Sequence, residues 1–183
     1  MTVLDRVRSS PEIQDLLFDL CDFELSEEPV PSWLQLSHNS VATPFGRDGA
    51  GGVFFILDPL DAAAPVVMYA SSEGQAGCLG TSLDEFFSII AAIPHWRDCL
   101  KFSGNGRLEE MRHCDSAIPS EYREDIEEYD KKRRRLPKLL GVGRPKDPVL
   151  ALHCAVLRSS ELVALAPDGT AFATLFNSFT WKR

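Results

Sequence analysis

The chain lacks any long apolar run. Its longest, such as those at 52–57 and 86–94, stop far short of the roughly 18 residues a membrane-spanning helix needs, so no membrane segment is expected. The first residues carry Asp5, Arg6 and Arg8 where a secretory leader would be apolar, so the expected location is cytoplasmic. The five cysteines, Cys21, Cys78, Cys99, Cys114 and Cys154, form no CxxC pair, which argues against a disulfide framework and a zinc knuckle. They read as small buried thiols. Positive charge is short as well: 19 Lys and Arg against 27 Asp and Glu leave a net charge of −8. A surface of that sign repels phosphate backbones and anionic lipid, so neither nucleic acid nor membrane is an expected partner. It suits a basic protein.

The acidity is uneven. Residues 1–100 hold 15 acidic against 4 basic side chains, a net of −11, whereas 101–183 carry a net of +3. Much of that positive balance is one run, Lys131–Arg135, preceded by Glu127, Glu128 and Asp130. On a continuous helix these acids fall four residues before Lys131, Lys132 and Arg134, the favourable order for ion pairs along one face. The run therefore reads as a solvated helix laced by its own charges, not as a nucleic-acid patch.

With 183 residues, the chain has the length of one domain. Four segments follow from the patterning. In 1–44, Ser9 and Ser10 precede Pro11, and Ile13, Leu16, Leu17, Leu20 and Cys21 recur at helical spacing; an acidic, proline-punctuated connection follows to Pro31. In 45–93, a glycine-rich bend at 46–52 feeds a buried strand at 53–57. A second strand at 65–69 and a third near 73–80 suggest an antiparallel meander. Ser82-Leu83-Asp84-Glu85 then forms a capping box ahead of the apolar stripe Phe86, Phe87, Ile89, Ile90 and Ile93. The segment 94–146 is helical and highly charged, with Gly104-Asn105-Gly106 as a stop and one long helix opening at Ser120 and closed by Pro137 and Gly141. In 147–183, Asp147-Pro148 caps a helix, and Glu161–Leu165 with the turn Pro167-Asp168-Gly169 reads as a hairpin. The fold class expected is α+β: a single domain with a mainly antiparallel or mixed sheet of about four to six strands and helices packed around it.

No enzyme signature stands out. The glycine cluster lacks the Lys-Ser/Thr and following helix of a phosphate loop. His113-Cys114 and His153-Cys154 supply zinc-type donors, but neighbours on a helix diverge by about 100°, so each pair can hardly give both ligands to one metal. Neither GxSxG nor HExxH occurs. No cofactor, no metal site and no catalytic residue are assigned, and the chain reads as a non-enzyme.

The stretches FGRDGAGGVFFILDP and PVVMYASSEGQAGCLGTSLDEFFSII resemble the core of the SUKH superfamily, the Smi/Knr-type domain of fungal cell-wall synthesis regulators and bacterial immunity proteins. The matching elements are the Asp48–Gly52 bend into a strand, the strand at 65–67, the Glu73-Gly74 turn and the Ser82–Phe86 helix start, with Pro167-Asp168-Gly169-Thr170 in the tail. About 45 residues carry the likeness; the charged helix near Glu121–Arg135 departs from it. The resemblance implies an α+β domain without catalytic machinery that binds another protein, in bacteria an antidote to a polymorphic toxin, many of which are nucleases. A nuclease needs a basic cleft, which an acidic inhibitor can fill and be steered towards. The acidic candidates are Glu24, Glu27, Glu28, Asp48, Asp58, Asp61, Glu73, Asp84 and Glu85, expected to share a face. The rival readings are an intracellular scaffold like the fungal relatives, and a small enzyme using carboxylates or a Cys–His pair. Oligomeric state stays open.

Overall fold

The computed structural model describes residues 1–36, 40–59, 64–158 and 164–182. Its elements run α1 (Val3–Ser9), α2 (Pro11–Cys21), β1 (Glu24–Leu25), β2 (Gln35–Leu36), β3 (Ser40–Arg47), β4 (Val53–Pro59), β5 (Val66–Ala70), β6 (Ala76–Gly80), α3 (Leu83–Ala92), α4 (Trp96–Lys101), α5 (Leu108–Ala117), α6 (Pro119–Asp125), α7 (Tyr129–Leu140), α8 (Pro148–Leu157) and β7 (Ala164–Leu165). The class is α+β. Five strands form an antiparallel sheet in the order β1-β3-β4-β5-β6, and β2 pairs with β7 in a separate ribbon.

Both faces of the sheet are covered, which explains why its strands read as continuous apolar runs. Along β4, Phe54 faces one cluster while Val53, Phe55 and Leu57 face the other; on β5, Val67 and Tyr69 alternate with Met68 and Ala70. The larger cluster packs that first face against helices α1 to α5, α7 and α8. At its centre Phe54 sits 5.1 Å from Phe23 and 4.8 Å from Tyr69, with Phe45, Phe86 and Trp96 around it. The second, smaller cluster is covered by Leu34 and Ala164, with Trp33 stacked on Phe172.

Helix starts follow the capping chemistry. The hydroxyls of Ser10 and Ser82 and the carboxylate of Asp147 accept the amides of Ile13, Glu85 and Leu150. The box at Ser82 is only half made, because the Glu85 carboxylate accepts the Thr81 amide and hydroxyl and leaves the Ser82 amide alone.

Several expectations change. The connection after α2 contributes β1, and β3 begins at Ser40 with Pro44 beside the bulge that breaks its register with β4, a position where the missing amide costs no ladder bond. The long charged helix is two helices, broken where Glu128 takes a φ of 56°. Two of its cations reach outward to α2, Lys132 to Asp19 and Arg135 to Glu12, while Arg123 of α6 bridges to Asp130 of α7 and Lys131 pairs with Glu128 three residues before it. Pro137 lies inside α7, and Gly141, at φ 65°, ends it. Of the C-terminal hairpin, residues 161–163 lie outside the described residues, while Ala164–Leu165 pairs with β2 and returns through the Pro167–Gly169 turn.

Candidate functional site

The glycine bend is organised by one carboxylate. Asp48 closes β3, and its Oδ1 accepts the amides of Ala50 and Gly52 at 2.8 and 2.9 Å. The Asp48 amide donates to Gly52 O, the Gly51 amide to Asp48 O, and the Gly49 amide to Asp22 Oδ1 at 3.0 Å. Every amide from 48 to 52 is therefore engaged inside the protein. A phosphate cradle needs those donors free, so the bend is a β-turn locked by its own side chain.

The other oxygen of Asp48 faces inward. Its Oδ2 accepts the Tyr69 hydroxyl at 2.5 Å and pairs with the Arg97 guanidinium, whose second arm donates to Asp22 Oδ2 at 2.8 Å. Asp48 is only 4% exposed. Arg97 also lies over the rings of Tyr69 and Trp96, 5.8 and 5.6 Å from their centroids. Burial pushes the Tyr69 phenol well above its usual range, the nearby guanidinium opposes this, and the Asp48 acceptor adds to it. Tyr69 is a donor at any ordinary pH. A fixed cation between two carboxylates and two aromatic faces is a preorganised unit, assembled from the end of α2, the β3–β4 turn, β5 and α4.

This unit floors a cleft of about 370 Å³. One wall is the β5–β6 turn with Ser72 and Glu73; another is α4 with Asp98 and Lys101. The third is the C-terminal stretch. Gln75 Nε2 donates to Thr174 O, the Asn177 amide to Leu100 O and the Gly104 amide to Phe179 O, and these bonds stretch it across the molecule. Phe179 is left 55% exposed at the rim, and Phe18, on α2 beside a neighbouring hollow that also includes Arg97 and Asp98, is 56% exposed.

The acidic candidates do not share one face. Register puts them at opposite ends of the sheet: Arg47 pairs with Val53 and Val53 with Ala70, so β1, the 48–52 bend and the β5–β6 turn meet at one end. Asp58, near the far end of β4, and the start of α3 with Asp84 and Glu85 lie at the other. Glu24 and Glu28 pair with Arg47, and Glu27 with Arg8. Burial by itself would raise Glu85, but hydrogen bonds from Thr81 and the Arg158 cation hold it below the ordinary carboxylate range. Asp48 is internal, Asp61 lies outside the described residues, and Asp58, Glu73 and Asp84 are exposed. Only Glu73 of these lines the cleft.

No local sequence pattern points to Asp22, Tyr69, Arg97 or Phe179 as parts of one site. Arg97 did leave a trace, being one of only four basic residues in the first hundred, all of which hold carboxylates or, for Arg6, the Leu140 carbonyl. The two His–Cys pairs stay apart in role: His153 Nε2 bonds Gly106 O, and Cys114 is buried on α5. Metal-type donors converge instead at His95, Cys99 and Asp115.

No protein-family model, curated protein or solved structure matches this chain.

Proposed function

We propose that this chain is a non-catalytic protein-binding domain of the immunity type, which neutralises a basic toxin domain, a nuclease among the candidates, through the end of the sheet that holds the Arg97 cleft. One observation carries the reading: a rigid cleft floored by Tyr69, Trp96 and Arg97 is rimmed by the exposed ring of Phe179 and the exposed carboxylate of Glu73. Aromatic and arginine side chains held in place lose little freedom on binding, which is why such clusters dominate interface energetics. Glu24 and Glu28, beside the same end, extend the negative rim that would steer a basic partner. The resemblance of the 45–90 element order to SUKH domains is what suggests the immunity type.

The test is a binding isotherm with the toxin domain encoded beside this chain's gene. Phe179→Ala should raise Kd about tenfold, mainly by faster dissociation. Glu73→Lys should slow association several-fold, and added salt should slow it for the parent chain. Absence of a complex, or a complex indifferent to both substitutions and to salt, overturns the reading.

A further inference from the structure

Helix α4 carries Trp96 and Arg97 to the cleft, and its other side meets α5. There His95, the residue capping α4, and Cys99, one turn later, share a helix face. Asp115 stands opposite on α5, its Oδ1 2.8 Å from His95 Nε2. A ring nitrogen of His95, the Cys99 sulfur and a carboxylate oxygen of Asp115 all lie within 4.8 Å of one another. The His95 side chain is 0% exposed and that of Asp115 31%, while Cys99 is fully buried. His95 Nδ1 is buried without a partner, so among the described residues the contact with Asp115 is the ring's one hydrogen bond.

We propose that His95, Cys99 and Asp115 form a binding site for one divalent cation of the zinc class, entered from the Asp115 side. The donor set selects the metal: thiolate and imidazole suit zinc and its first-row neighbours, whereas magnesium and calcium take oxygen ligands. Bonds of about 2.0–2.3 Å in a tetrahedral site put ligand atoms about 3.3–3.7 Å apart. The spacing here brackets that range, so side-chain rotations of about an ångström suffice. On binding, the Cys99 thiol releases its proton to solvent, and the proton shared between His95 Nε2 and Asp115 moves to Nδ1 by tautomerisation, so that a thiolate, a carboxylate and a neutral imidazole face the cation. The partly exposed carboxylate leaves the fourth position to water. Such a cation would clamp α4 to α5, and with α4 the cleft residues Trp96 and Arg97.

The experiment uses the full chain, free of an oligohistidine tag and kept reduced, titrated with cobalt(II) as a coloured stand-in for zinc. One cobalt per chain is expected, with a thiolate-to-cobalt charge-transfer band in the near ultraviolet that one equivalent of zinc abolishes. Cys99→Ser should remove the band, and Asp115→Asn should weaken cobalt binding at least tenfold. No band with the parent chain, or a band unchanged in Cys99→Ser, overturns the proposal. If circular dichroism shows that Cys99→Ser does not fold, Asp115→Asn decides, and unaltered affinity there overturns it equally.

Discussion

At the residue scale, Asp48 does most to shape the site. Its two oxygens satisfy two turn amides, a buried phenol and a guanidinium, so removing the charge leaves Arg97 with Asp22 as its remaining carboxylate. Breaking one side of a buried pair costs about 3–5 kcal/mol, far more than the pair itself contributes over an apolar substitute. Asp48→Asn should therefore lower stability by about that much in urea titration, with the loss reduced when Arg97 is replaced by Met in the same chain. Gly52 is bound to the same unit, since a Cβ there would meet both Tyr69 Oη and Asp48 Oδ2 at 2.6 Å. Gly52→Ala should thus displace the Tyr69–Asp48 bond, read as altered tyrosine fluorescence together with a lower Tm.

At the element scale, the parts that local chemistry specifies were legible in the sequence. Ser10-Pro11, Ser82 with Glu85, and Asp147-Pro148 marked three helix starts because a cap needs only neighbours in the chain. Ser82→Ala should accordingly cost about 1 kcal/mol, measured by thermal unfolding. The paired apolar runs at 53–57 and 66–69 were legible as buried strands for the same reason. What stayed hidden depends on partners far along the chain. β3 holds Thr43 and Pro44 and reads as no strand by itself; it exists because β4 lies beside it. Helix α1 is only seven residues, too short for its apolar positions to show a helical period, and its Thr2–Asp5 capping box is its main local signal. The break before α7 needs a left-handed Glu128, a conformation no residue type there announces. The candidate site was least visible, since Asp22 meets Arg97 from 75 positions away, and an expected acidic face was divided by the antiparallel register.

At the scale of the whole molecule, charge holds the fold together, and in the proposed function it also faces a partner. Glu24 is held below the ordinary range by Arg47, Glu128 by Lys131, Asp130 by Arg123, and Asp147 by the Leu150 amide and Arg112. Because these groups titrate lower when folded than when unfolded, their contribution is complete above the unfolded carboxylate range near pH 4 and fades as pH falls through the folded values. Tm should be nearly level from pH 7 to pH 5 and should drop below about pH 4, less steeply in high salt where exposed pairs are screened. The core that these pairs surround is aromatic, and Phe54→Ala, at its centre, should cost about 3–5 kcal/mol in urea unfolding. The most direct measurement of the functional account is hydrogen–deuterium exchange on the chain alone and saturated with the toxin domain that the proposal expects to be encoded beside it. Slowed exchange should gather at residues 71–75, 97–101 and 175–180, which wall the cleft, while 56–58 and 82–85 at the other end of the sheet stay unchanged. Protection confined to that opposite end would contradict it.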